Sequence, residues 1–148
     1  MTKIVHEHVW ATVVSIECEN SNISYQPQID FLHLVDEIFS TYIPFSQVSK
    51  LRSNQIQIED CHPLLNEVWH LCLRARELTD GAFDPWAVPG GFDPSGFVKG
   101  WAADKCGEIF EKFGVDPWYA QAILLIESPG QLKKSISGAY GAFQLMPN

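Results

Sequence analysis

Within residues 4–18 (IVHEHVWATVVSIEC), Val9, Ala11 and Val13 alternate with Trp10, Thr12 and Val14. Apolar residues fall on both sides of that alternation, which predicts a strand buried on both faces. Asn20, Ser21 and Asn22 break the pattern. From Gln28 to Phe39 the period changes: Ile29, Leu32, Val35 and Phe39 recur at helical spacing, with Pro27 in the favoured first-turn position. The polar, proline-containing STYIPFSQVSKLRS reads as a loop. The clearest helix covers 64–78, where Leu64, Val68, Leu71, Ala75 and Leu78 share a face between Pro63 and the stop at Asp80-Gly81. A further helix is predicted over 98–113, with Ala102, Cys106, Ile109, Phe110 and Phe113 as its stripe and Gly114 as its stop. Asp116-Pro117 then reads as the start of another helix, WYAQAILLIES.

Composition narrows the function classes. The 148 residues carry 10 Lys+Arg against 18 Asp+Glu, a net charge of −8, with 46% hydrophobic and 19% charged residues. That is globular composition rather than a disordered tail or a coiled coil. The acidic balance argues against a nucleic-acid or anionic-membrane partner, because phosphate binding needs clustered Lys and Arg. No apolar run approaches the about 18 residues that span a bilayer. The first ten residues include Glu7 and two histidines and do not read as a secretory signal, so a cytoplasmic location is expected. Cys18, Cys61, Cys72 and Cys106 include no C-x-x-C pair and are expected to be reduced thiols. Cys61-His62 and His70-x-Cys72 are too irregular for a zinc finger.

The segment GAFDPWAVPGGFDPSG (81–96) is too rich in Gly and Pro for regular structure. It is either a linker or a shaped backbone cradle. A cradle would let main-chain N–H groups approach a pyrophosphate, with the N-terminus of the helix at 98–113 favouring negative charge. Lys99 would then reach phosphate, and Tyr42 would stack on a flat ring or donate its hydroxyl. The plainer alternative makes Gly81 a helix cap and Asp84 and Asp93 turn caps, with Phe83 and Trp86 in the core.

Five motifs occur in order: ATVVSI at 11–16, FSTY at 39–42, DCHPLL at 60–65, GAFDP at 81–85 and DPSGFVKG at 93–100. Together they resemble the FAD:protein FMN transferase family, the ApbE family, and in particular its compact branch. The resemblance covers about residues 8–115. It implies an enzyme that takes FAD and Mg²⁺, cleaves the FAD pyrophosphate and transfers FMN to a Ser or Thr hydroxyl of a target flavoprotein. It also implies site residues. Trp10 matches a strand contact to FAD and Tyr42 the tyrosine of the family's STY loop. Ala82, Phe83 and Asp84 match the loop lining the flavin nucleotide. Asp93 and Lys99 match further FAD contacts, and Gly96 a backbone carbonyl to the metal.

Downstream, GVDPWYAQAILLIES and SGAYGAFQLMP resemble the start of a soluble lytic transglycosylase domain, which implies Glu127 as an acid–base residue beside an apolar Ile123–Ile126 wall. The expected fold is therefore α+β: an incomplete antiparallel sheet packed by helices over 1–115, with a short all-α lysozyme-like appendage at 116–148. The expected function is FMN transfer, impaired because the resemblance stops near Val115. The alternatives are a peptidoglycan transglycosylase fragment and a non-catalytic flavin-binding or interaction module.

Overall fold

The computed structural model describes residues 3–18 and 22–112. Their order is β1 (Lys3–Val9), β2 (Thr12–Cys18), α1 (Gln26–Phe39), α2 (Gln47–Arg52), a 3₁₀ turn (Ile58–Asp60), α3 (Pro63–Leu78) and α4 (Ser95–Lys112). An antiparallel sheet with helices is the α+β class read from the sequence. The predicted appendage at 116–148, with Glu127, lies outside the described residues. The described residues divide into two compact units, the first made of those up to Leu34 together with 99–112, the second of Val35–Val98. No helix of the described residues is long and apolar enough to cross a membrane.

In the first unit the predicted single strand is a hairpin. β1 and β2 pair in register from Lys3↔Cys18 to Val9↔Thr12, leaving Trp10 and Ala11 as a two-residue turn. Both turn residues have positive φ, 57° and 54°. A two-residue turn of that hand matches the twist of the flanking strands and is ordinarily built from Asn and Gly. Placing Trp and Ala there costs about 1–2 kcal/mol each. Two contacts of Trp10 offset the cost: its ring packs against the core, and its indole N–H donates to the Leu32 carbonyl at 3.2 Å.

The apolar core lies on one face of the hairpin, while on the other Ser15 is buried and its neighbours are open. Val9, Val14 and Ile16 enter a core with Tyr25, Leu32, Ala103, Cys106 and Phe110. On the opposite face Ile4 and Val13 are exposed, with His6 and His8 beside them. His6 Nδ1 lies 2.7 Å from the Ser15 hydroxyl on that face, across the strand pair. The helical stripes of α1 and α4 supply the rest of the core, including Ala102, Cys106 and Phe110 as read from the sequence. Tyr25 and Phe110 meet edge-on at 6.0 Å. Such an edge-on pair contributes roughly 0.5–1.5 kcal/mol beyond the area it buries.

In the second unit α3 stands where the pattern predicts a helix, and α2 where it predicts a loop. Residues 47–52, read as loop, form α2 because Ser46 caps it: its Oγ accepts from the Ser49 N–H at 3.0 Å and donates to the Ser40 carbonyl at 2.6 Å. α3 buries Leu65, Val68 and Cys72 rather than the full predicted stripe, and Leu78 is exposed. The buried set is also spaced at helical intervals, so periodicity alone admits both faces.

Candidate functional site

The segment between α3 and α4 starts from a helix stop. Gly81 N–H donates to the Arg76 carbonyl at 2.9 Å and Asp80 N–H to Glu77 at 3.1 Å. That is a Schellman pairing, with Asp80 at φ 51° holding the left-handed position the sequence reading gave to Gly81. Thr79 Oγ1 donates to the Ala75 carbonyl at 2.9 Å and accepts from the Phe83 N–H at 3.0 Å. Ala82 and Phe83 are thus fixed directly behind the helix end.

Asp84 closes the next turn. Its Oδ1 accepts from the Trp86 N–H at 3.0 Å, and its Oδ2 pairs with Arg76 Nε at 3.0 Å. The Arg76 guanidinium also lies 5.9 Å from the centre of the Trp86 ring. Beneath the loop three rings form a platform: Trp69 to Trp86 at 5.0 Å, Trp69 to Phe92 at 4.7 Å and Trp86 to Phe92 at 5.0 Å. These contacts leave Trp86 half-buried and Phe92 buried, so both rings serve as core.

The glycine pair carries the loop over an arginine. Gly90 and Gly91 both have φ of 87°. A Cβ on Gly90 would stand 2.6 Å from Arg52 Nη2, whereas one on Gly91 would meet nothing within 4 Å. Arg52 Nη2 donates to the Pro89 carbonyl at 2.9 Å, and Nη1 lies 3.6 Å from Asp93 Oδ2. Asp93 N–H donates to the Pro85 carbonyl at 2.8 Å. Asp93 Oδ1 in turn accepts from the N–H of Ser95 at 3.0 Å and from its hydroxyl, opening α4.

Of the residues singled out in the sequence, Ala82, Phe83, Asp84, Asp93 and Gly96 fall on this one segment of the second unit. Gly96 is the second residue of α4, where its carbonyl is an acceptor of the helical ladder. Tyr42 is 91% exposed in the 40–46 loop of the same unit, near an 80% exposed Phe45. Trp10 sits at the hairpin turn of the first unit, and Lys99 is an exposed α4 residue of that unit. Sequence reasoning missed Arg52, Arg76 and Trp69. An arginine that approaches a glycine loop from far along the chain leaves no local pattern.

The carboxylates of Asp84 and Asp93 are therefore each held by an arginine and a backbone N–H. Among the described residues no three His, Cys, Asp or Glu side chains gather closely enough to hold a metal. Those residues do not fit a magnesium site, whose ion takes several oxygen ligands in octahedral order. The described thiols of Cys61, Cys72 and Cys106 are not held as thiolates either. Burial pushes Cys72 and Cys106 up to about 12, and Cys61 is raised by burial and by Asp60 and Glu59.

Comparison with known proteins places this geometry. The flavin transferase ApbE from Vibrio cholerae, solved as a point mutant, has a similar fold, with a TM-score of 0.66 at 16% sequence identity. The match covers 78% of this chain and 58% of that one, so the chain spans little more than half of that structure. No curated protein matches. The transglycosylase resemblance of 116–148 finds no support in these comparisons. The ApbE family model matches residues 10–90, a span that takes in the Trp10 turn, the Tyr42 loop and the Asp84 turn. With more than half of its residues inside that match, the chain belongs to the ApbE family.

Proposed function

We propose that this protein is a flavin transferase that takes FAD as substrate and moves its FMN half to a Ser or Thr hydroxyl of a partner flavoprotein. In that reaction the hydroxyl oxygen bonds to the FMN phosphorus and the pyrophosphate bond breaks. AMP leaves with the bridging oxygen, and the hydroxyl proton passes to water. The observation that carries the reading is the 79–95 loop, whose backbone is held rigid by side chains on both flanks. Most of its amides are already paired within the segment, so what it offers a ligand is a preordered surface that needs little further ordering on binding. The family match through Trp10, Tyr42 and Ala82–Asp84 supports FAD as that ligand.

Magnesium belongs to the reading only through the family resemblance, with Gly96 as the carbonyl it implies. No step is drawn through the ion. The test incubates the full chain with FAD and an acceptor protein, with Mg²⁺ or with EDTA, and reads the acceptor by intact mass spectrometry. An acceptor heavier by one FMN supports transfer. FAD bound with no adduct under either condition favours the non-catalytic flavin-binding alternative, and no FAD binding at all overturns the flavin reading.

A further inference from the structure

We propose that Arg52 is a positioning residue, a clamp that sets the 84–94 loop and through it Asp93. The inference rests on the flavin reading for what the loop binds, but the clamp itself is written in the geometry. One guanidinium reaches two points of the loop from α2: the Pro89 carbonyl at 2.9 Å and the Asp93 carboxylate at 3.6 Å. Its fork is rigid and planar, so one hydrogen bond to Pro89 and one longer ion-pair contact to Asp93 bias the loop's distance and tilt together. The loop is cut to receive it, because Gly90 leaves room that a single Cβ would fill at 2.6 Å from Nη2.

The clamp has one open contact. Arg52 Nη1 is buried and makes no hydrogen bond, although Asp93 Oδ2 is near it. Its contact with Asp93 is therefore the ion pair alone, which a bidentate hydrogen bond would outweigh. Asp93 also holds the first turn of α4 through Ser95. Arg52 therefore governs a carboxylate that joins the loop to a helix start.

A lysine at position 52 keeps the positive charge but reaches as a single point, which separates clamping from simple attraction of an anion. The experiment uses the full chain as wild type, Arg52→Lys and Arg52→Gln. It reads FAD affinity by fluorescence titration, hydrogen exchange at the Gly91 and Asp93 amides, and the thermal midpoint. Clamping predicts faster exchange at both amides in both variants, with exchange in β1 and β2 unchanged. It predicts FAD affinity about tenfold weaker for Arg52→Gln and about threefold weaker for Arg52→Lys. In an Asp93→Asn background the further effect of Arg52→Lys shrinks to near nothing, because the two act as one unit.

Three results overturn the proposal. Unchanged exchange at Gly91 and Asp93 in Arg52→Gln removes the clamp. Wild-type affinity in Arg52→Lys, with loss only in Arg52→Gln, makes the residue a source of charge and not of position. A wild type that binds no FAD overturns the flavin reading itself and the positioning role with it, and the exchange data then show separately whether Arg52 holds the loop.

Discussion

Replacing Gly90 by alanine, with Gly91→Ala as its neighbour control, measures how closely the loop is shaped around Arg52. Both glycines have the same φ of 87°, so both alanines meet the same left-handed strain. That strain is worth roughly 1–2 kcal/mol. Only at Gly90 does the new methyl meet an obstacle, Arg52 Nη2 at 2.6 Å. The obstacle is the tip of a flexible side chain, so Arg52 swings away and gives up its bond to the Pro89 carbonyl. A hydrogen bond from a charged donor contributes about 1.5–3 kcal/mol. Because the guanidinium is partly open to solvent, we discount this to about 1–2 kcal/mol. Gly90→Ala is therefore expected to cost about 2–4 kcal/mol and Gly91→Ala about 1–2 kcal/mol. Equilibrium urea unfolding of the two variants reads the difference directly. Measured against Arg52→Ala alone, adding Gly90→Ala should cost only the backbone strain, about 1–2 kcal/mol, the same as adding Gly91→Ala in that background, because the bond to Pro89 is already gone. The reasoning fails if Gly90→Ala costs no more than Gly91→Ala, or if its excess survives the removal of Arg52.

The hairpin turn offers a gain instead of a loss: Ala11→Gly is expected to stabilise by about 0.5–1 kcal/mol, because φ of 54° suits glycine, and a lower urea midpoint would contradict the turn geometry. At neutral pH the native protein should leave Cys72 and Cys106 unlabelled by a thiol reagent until denaturant is added, since burial holds both protonated; rapid native labelling of either would refute it. Those folded values, raised to about 12 from the ordinary 9.0, mean that the native state keeps its protons longer than the unfolded chain. Their contribution is whole below about pH 9 and is lost as the pH climbs toward 12, so unfolding free energy should fall across that window, and a flat profile would argue against it. FAD is an anion meeting a chain of net charge −8, so its dissociation constant is expected on the order of tens of micromolar. Adding Mg²⁺ should change that constant by less than about threefold, and a large magnesium effect in the same titration would show that an acidic ligand set forms on binding.

Local sequence was enough wherever a structure depends on its own neighbours. Pro27 and the Ile29–Phe39 spacing determined α1, Pro63 and the stop at Asp80-Gly81 determined α3, and the Ala102–Cys106–Phe110 stripe determined the buried side of α4. The motif order over Trp10, Tyr42 and Ala82–Asp84 was also legible, and it pointed to the family that the comparison bears out. What the sequence left open was decided by contacts between distant residues. Trp10 and Ala11 carry no turn signal, and the chain reverses there because the Trp10 ring and indole N–H find partners in the core and at Leu32. Ser46 turns a polar stretch into α2 only because the Ser40 carbonyl is there to receive its hydroxyl. Gln28, read as the polar start of a helix, is wholly buried with no hydrogen-bond partner for its amide, a cost that only surrounding packing imposes. The same holds at the candidate site. Composition left the 81–96 segment open as a cradle, a linker or a run of capped turns, and the turns it adopts are held by Arg52, Arg76 and Trp69, which reach it from other helices. Side chains that meet across a fold share no period or spacing along the chain, so only the folded backbone brings them together.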